Sequence, residues 1–181
     1  MLRWDETNGS VSEFRNPSNC SNGNTRDLQG RLITCHHLSR SVTRTEHSGK
    51  VTTLASHFDG KRLNSPNDVV VKSDGSIWFT DPDYGIMSDY EGCKSTCEQS
   101  SCNVFRIDQK TGNVRLITDQ LVKPNGLCFN NSEDKLYVSD TGGSHVAGGP
   151  RHIYSFDLKG EKITSKNPKF FAECSNGLFD G

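Results

Sequence analysis

Hydrophobic residues are scarce. They make up 31% of the 181-residue chain, and the mean hydropathy is −0.67. That balance excludes a compact helical core and suits one loop-rich β domain with many short strands. No apolar run approaches the length of a membrane-crossing helix, so no membrane partner is expected. Neither sign of charge is in excess, with 21 basic and 22 acidic residues. No basic stripe or like-charge block exists, so neither a nucleic-acid partner nor a charged tail is expected. The first residues, "MLRWDETNGS", lack the apolar stretch of a secretory leader. The sequons at Asn8, Asn19 and Asn130 therefore read as chance matches. Cytoplasmic placement is expected, unless an upstream segment carries a leader. Oligomeric state is not legible.

The cysteines number seven, an odd count, and only Cys93, Cys97 and Cys102 cluster. Their flank, "EGCKSTCEQSSCN", has no histidine, which argues against zinc. Free thiols in a reducing compartment are expected there, ahead of a disulfide within the loop. A serine-hydrolase elbow is also missing: "GGSHVAGG" has the wrong spacing for G-x-S-x-G.

What is present is a repeat. "LRWDETNGSVSEF", "VTRTEHSGKVTTL", "VFRIDQKTGNVRLI" and "IYSFDLKGEKITS" each read as strand, acidic residue, glycine turn, strand. The acids are Asp5, Glu46, Asp108 and Asp157. Before the hairpins come "LQGRLITC", "SDGSIWFTD" and "SEDKLYVSD", and before these come polar launches into a further strand. Four strands per unit at this spacing indicate β-propeller blades rather than meanders of a sandwich. Residues 2–15 are expected to form the outer hairpin of one blade. Residues 22–55, 66–118 and 124–166 are expected to form full blades, and 176–181 the start of the next. The expected architecture is thus all-β, a partial propeller of about three to four blades. Such a sector is expected to be poorly soluble or inactive alone, because its end blades lack cover. In "SIWFTD", Trp78 and Phe79 point to opposite sheet faces and are expected to pack between blades.

The launches are in register. Asn22, Asn67 and Asn125 occupy equivalent places, followed by Gly23, Asp68 and Gly126. Asp180-Gly181 offers the same kind of place in the last unit. One Asn-Gly alone would be a turn cap. Four launches from different blades point instead to oxygen ligands around one axis, which suits a hard cation, above all Ca²⁺. Asn22, Asn24, Arg26 and Asp81 lie near channel-facing strand ends and are candidate substrate contacts. His36 and His145 are further possibilities, although a lone histidine is more often structural.

"NGNTRDLQGRLITC", "GKRLNSPNDVVVKSDGSIWFTDPDYGI", "KPNGLCF", "LYVSDTG" and "GGPRHIYSFD" together resemble the gluconolactonase, regucalcin and senescence-marker-protein family, in its bacterial and fungal gluconolactonase branch. The resemblance covers nearly the whole chain. It implies a six-bladed propeller that hydrolyses sugar lactones with one divalent cation in its channel, Ca²⁺ first, with Zn²⁺, Mg²⁺ or Mn²⁺ as alternatives. It maps metal ligands onto Asn125 and Asp180, puts Asn67 on or beside the metal, and makes Tyr84 a substrate contact. The family's first-blade glutamate has no counterpart, so the chain is expected to be truncated at both ends. Asp180 is the candidate for both ligand and general base, with Asn67 and Asn125 as neutral ligands. An esterase or organophosphate hydrolase on the same scaffold, or a non-catalytic calcium-binding or interaction propeller, are the alternatives.

Overall fold

The structure is a computed structural model that describes residues 1–165 and 167–180. Lys166, where the third expected unit ends, and Gly181, beside Asp180, lie outside the described residues. The fold is all-β with several antiparallel sheets. A first hairpin pairs β1 (Leu2–Trp4) with β2 (Val11–Glu13). The first four-stranded sheet is β3 (Ser21–Arg26), β4 (Leu32–His36), β5 (Ser41–Thr45) and β6 (Val51–Ala55), in that order. A small hairpin, β7 (His57–Phe58) and β8 (Lys61–Arg62), links it to the second sheet. That sheet is β9 (Val69–Val71), β10 (Ile77–Asp81), β11 (Asn103–Ile107) and β12 (Val114–Thr118). A short helix, α1 (Tyr84–Met87), and an irregular stretch separate β10 from β11. The third sheet runs β13 (Pro124–Phe129), β14 (Lys135–Asp140) and β15 (His152–Lys159). Its outer edge is split into β16 (Lys162–Ile163) and β17 (Lys169–Glu173), both paired with β15. The sheet therefore continues past the expected boundary at residue 166. Pro168, which cannot donate to a ladder, stands just before β17.

The repeated hairpin signature has a physical cause. At Asp5 and Asp108 the residue's own amide and carbonyl close the turn, and Gly9 and Gly112 adopt positive φ. The Asp5 carboxylate accepts the Thr7 N–H at 2.9 Å, and that of Asp108 accepts the Lys110 and Thr111 N–H groups at 3.0 and 2.9 Å. Hydrogen bonds from Thr111 first of all hold the Asp108 pKa down at about 2. The main chain of Glu46 closes its turn in the same way, with Gly49 at positive φ, but its carboxylate pairs with Arg44 and Arg31 at 2.8 and 3.1 Å. The Asp157 carboxylate pairs with Lys135 at 2.5 Å.

The core lies between sheets. Ile33, Cys35 and Val42 of the first sheet meet Val69, Phe79 and Phe105 of the second. Trp78 and Val104, on the opposite face of the second sheet, meet Leu127, Leu136, Val138 and Phe156 of the third. Adjacent residues Trp78 and Phe79 thus serve different interfaces, as strand alternation requires. Main-chain hydrogen bonds also link one launch to the next. Gly23 N–H reaches Asn67 C=O at 2.6 Å, and Gly126 N–H reaches Asp180 C=O at 2.8 Å. A Cβ at position 23 would stand 2.5 Å from that carbonyl and 2.6 Å from the Asp68 Cα, so only glycine permits this approach. Among the described residues, no helix is long and apolar enough to cross a membrane.

Candidate active site

Each sheet's first strand begins at or just beyond a launch, so the launch side chains gather at one end of the sheets. There they line an open cavity of about 410 Å³, whose walls include Asn22, Asn67, Asn125 and Asp180. A second hollow of about 260 Å³ is lined by the same four residues and Asp68. Asn67 is 6% exposed and its position is tightly held. Its own N–H donates to Thr80 C=O at 2.9 Å, and the next N–H donates to Thr80 Oγ1 at 3.0 Å. Thr80 Oγ1 in turn donates to Asn125 C=O at 2.7 Å, which ties the second launch to the third.

Two carboxylates stand on this wall. Asp68 Oδ2 accepts the Leu127 N–H at 3.1 Å. Burial pushes the Asp68 pKa up, the negative charge of Asp180 adds to that, and main-chain donors oppose it. The donor set therefore fits a hard divalent cation: carboxamide and carboxylate oxygens, with Asp180 close enough for its charge to act on Asp68. It offers no imidazole–thiolate set. Among the described residues no group of three or more His, Cys, Asp or Glu could hold a metal, so the carboxamides would have to complete the shell. The seven cysteines are unpaired.

The opposite wall carries hydroxyls and rings. Tyr84, at the start of α1, hydrogen-bonds Thr141 and approaches Ser144 Oγ at 3.4 Å. Its ring lies 5.5 Å from that of His145, whose Nδ1 is 2.7 Å from Ser144 Oγ. Lys123 pairs with Asp83 and sits 5.3 Å over the Tyr84 ring. Burial raises the Tyr84 pKa, so the phenol stays protonated and can donate.

A family model for the SMP-30/gluconolactonase/LRE-like region matches residues 1–181. The chain belongs to this family. It is 33% identical over 178 residues to a gluconolactonase of Zymomonas mobilis, covering 94% of this chain and 48% of that protein. It is 30% identical over 122 residues to the lactonohydrolase oryL of Aspergillus oryzae, covering 64% and 27%. The chain thus spans about half the length, or less, of these curated relatives. Among solved structures, a gluconolactonase from Xanthomonas campestris superposes with a TM-score of 0.89 at 36% identity, covering 99% of this chain and 57% of that one. Regucalcin from Agrobacterium tumefaciens, a calcium-binding protein, shares the fold at a TM-score of 0.65 and 14% identity, covering 94% and 50%.

In this gluconolactonase-family chain, five expected site residues meet at the cavity, Asn22, Asn67, Tyr84, Asn125 and Asp180, together with His145. Three others do not line it. Asn24 instead bridges within its sheet, accepting from Thr34 Oγ1 at 2.9 Å and donating to Asn22 C=O at 2.6 Å. Arg26 pairs with Leu32 at the far end of β3. Asp81 is fully buried, and its Oδ2 accepts the Asn64 N–H at 2.8 Å. It ends its strand as Asp140 does, which accepts the Val122 and Lys123 N–H groups at 2.8 and 2.9 Å. Both carboxylates anchor the segment leading to a launch rather than facing solvent. His36 holds the equivalent place in the first sheet, its ring bonded to Ser18 C=O and Thr43 Oγ1 at 3.0 and 2.9 Å.

His37, not His36, reaches the site. Its Nε2 lies 3.0 Å from Asn22 Nδ2 and 3.4 Å from Asn67 Nδ2. Burial first of all lowers its pKa, against the pull of Glu91, which favours a neutral ring. A usable signal exists in the repeat. The second strands end at His36, Asp81 and Asp140, and the residue after the end is His37 in one sheet and the cavity-lining Thr141 in another.

Asp81 also sets a pH dependence. Burial raises its pKa from 3.8 to about 7, although the Asn64 and Ser65 N–H groups and Arg40 oppose the shift. A raised folded pKa means that the fold binds this proton more tightly than the unfolded chain does. The stabilisation is complete below 3.8 and is lost as pH rises toward 7. Asp81→Asn keeps an acceptor for Asn64 N–H but cannot ionise. Its melting temperature is expected to fall less than wild type between pH 5 and pH 8; parallel curves would place the titration elsewhere.

Proposed function

We propose that the chain is a sector of a six-bladed β-propeller and acts as a divalent-cation-dependent hydrolase of sugar lactones. The reading rests on one observation above the rest: Asn22, Asn67, Asn125 and Asp180, from separate launches, wall a single open and polar cavity. Family membership and the lactone-hydrolysing relatives support the reaction class.

Asn67, Asn125 and Asp180 would hold the cation, with Asp68 behind them. When bound, it supplies Lewis-acid polarisation of the lactone carbonyl. Asp180 is exposed to solvent and takes a proton from the attacking water. Asn22, Tyr84 and His145 offer hydrogen bonds to the hydroxyls of a polyhydroxylated ring and hold its carbonyl toward Asn67 and Asn125. Asn67 and Asn125 are neutral, so they add no negative charge to oppose an oxyanion.

Acid release from glucono-δ-lactone tests the reading. The 181-residue chain is assayed alone and fused to the additional length of its Zymomonas mobilis relative, with and without chelator. Turnover in at least one form, lost on chelation and restored by Ca²⁺, is the expected result. Chelator-insensitive turnover in both would remove the cation from the reading.

A further inference from the structure

His37 is 1% exposed, clamped between its own sheet and α1. A Cβ on Gly85 would stand 2.5 Å from the His37 Cβ, so α1 packs directly against this side chain. Its two nitrogens face opposite chemistry. Nδ1 faces Glu91, whose carboxylate lies 3.6 Å away. A carboxylate is an acceptor only. Nε2 faces two carboxamides, Asn22 at 3.0 Å and Asn67 at 3.4 Å. A neutral imidazole carries one N–H and one lone pair. Glu91 can receive the N–H but cannot give one, so Nδ1 is the protonated nitrogen and Nε2 is bare. A carboxamide has donors on one side and an acceptor on the other. A bare Nε2 accepts only from the NH₂ side, which leaves each oxygen turned away from the ring.

We propose that His37 is a positioning residue: its bare Nε2, fixed by Glu91, turns the Asn22 and Asn67 carboxamides so that their oxygens face the shared cavity. The opposite tautomer would present Nε2–H, draw both oxygens to the ring and leave NH₂ groups toward a cation. The consequence for binding rests on the cavity being a cation and lactone site. The orientation rests on the ring contacts alone. Glu91 comes from the stretch between β10 and β11, so that insertion determines how residues of two other launches present themselves.

Ring ¹⁵N NMR of the chain without added metal tests the orientation directly. A protonated Nδ1, a bare Nε2 and an N–H···N coupling from Nε2 to an asparagine side chain are expected; a protonated Nε2 overturns the inference. Ca²⁺ titration by calorimetry then tests its consequence through two variants. His37→Phe keeps a ring without an acceptor, and its Ca²⁺ Kd is expected to rise about tenfold or more, as for loss of groups that orient metal ligands. His37→Gln puts an acceptor oxygen near the place of Nε2 and is expected to stay within about threefold of wild type. Equal Ca²⁺ affinity in wild type and a folded His37→Phe overturns the inference. Wild-type chain that binds no Ca²⁺ counts against the proposed function instead, and the NMR result then decides the orientation by itself. If His37→Phe fails to fold, the NMR result and His37→Gln carry the decision: loss of Ca²⁺ binding in a folded His37→Gln despite its acceptor oxygen overturns the inference.

Discussion

Asp180→Ala is expected to reduce lactone turnover by roughly 10³-fold, within the range for loss of a positioned proton acceptor, and to weaken Ca²⁺ binding as well. The backbone there is held independently of the side chain. Asp180 C=O accepts from Gly126 N–H at 2.8 Å and from Ser139 Oγ at 3.2 Å, contacts that alanine keeps. Loss of function would therefore report the carboxylate and not a displaced segment. Asp180→Asn separates the two roles, since it retains an oxygen donor but cannot take a proton. It is expected to keep part of the Ca²⁺ affinity while losing turnover. Asn22→Ala, a change on the substrate side, is expected to leave Ca²⁺ affinity close to wild type. The assays are acid release and calorimetry on the active form of the chain. An Asp180→Ala variant with an unchanged rate would reduce the converging launches to turn caps.

Trp78→Ala is expected to have the largest effect on stability. The indole is fully buried in the interface between the second and third sheets. Its Nε1 donates to Ser76 Oγ at 2.9 Å, and its ring meets Phe129 edge-on at 5.2 Å. Truncation removes the ring's burial, leaves a cavity and orphans the Ser76 contact. The expected cost is about 3–5 kcal/mol, or roughly 10 °C of melting temperature for a chain of this size. Tyr90, 94% exposed, is the control: its alanine variant is expected to stay within about 0.5 kcal/mol of wild type. Chemical denaturation of both variants makes the comparison. A Trp78→Ala cost below about 1 kcal/mol would mean that the two sheets can close over the gap.

Much of the fold was legible because its units repeat. A strand signal that is weak once becomes firm when launch, turn, aromatic strand and hairpin return in the same order, and the first strands do begin at or near Asn22, Asn67 and Asn125. The same device exposed most of the wall of the cavity. It also misled. Register assigned Asp81 to the mouth because it ends a strand there, but register does not say whether a strand-end carboxylate faces solvent or collects main-chain N–H groups behind it. Asn24 and Arg26 follow a register shift in β3 between Ser21 and Asn24, and each step of two residues carries a side chain farther from the launch. His37 and Glu91 escaped for the opposite reason. Their pairing joins a strand end to an insertion that differs in length and sequence from the stretches at the same place in the other units, and such long-range partners leave no periodic trace.

The amide of Gly23 is engaged across the gap to the second sheet's launch, and that of Gly126 across the gap to the segment after β17, rather than within a ladder. Their exchange with solvent deuterium therefore follows the parting of one launch from the next, while amides in β10 or β14 follow the melting of a sheet itself. The two glycines act as built-in gauges of how firmly neighbouring launches are docked, and they sit within a residue or two of the side chains that wall the cavity. Any loosening that they register is also a loosening of the site.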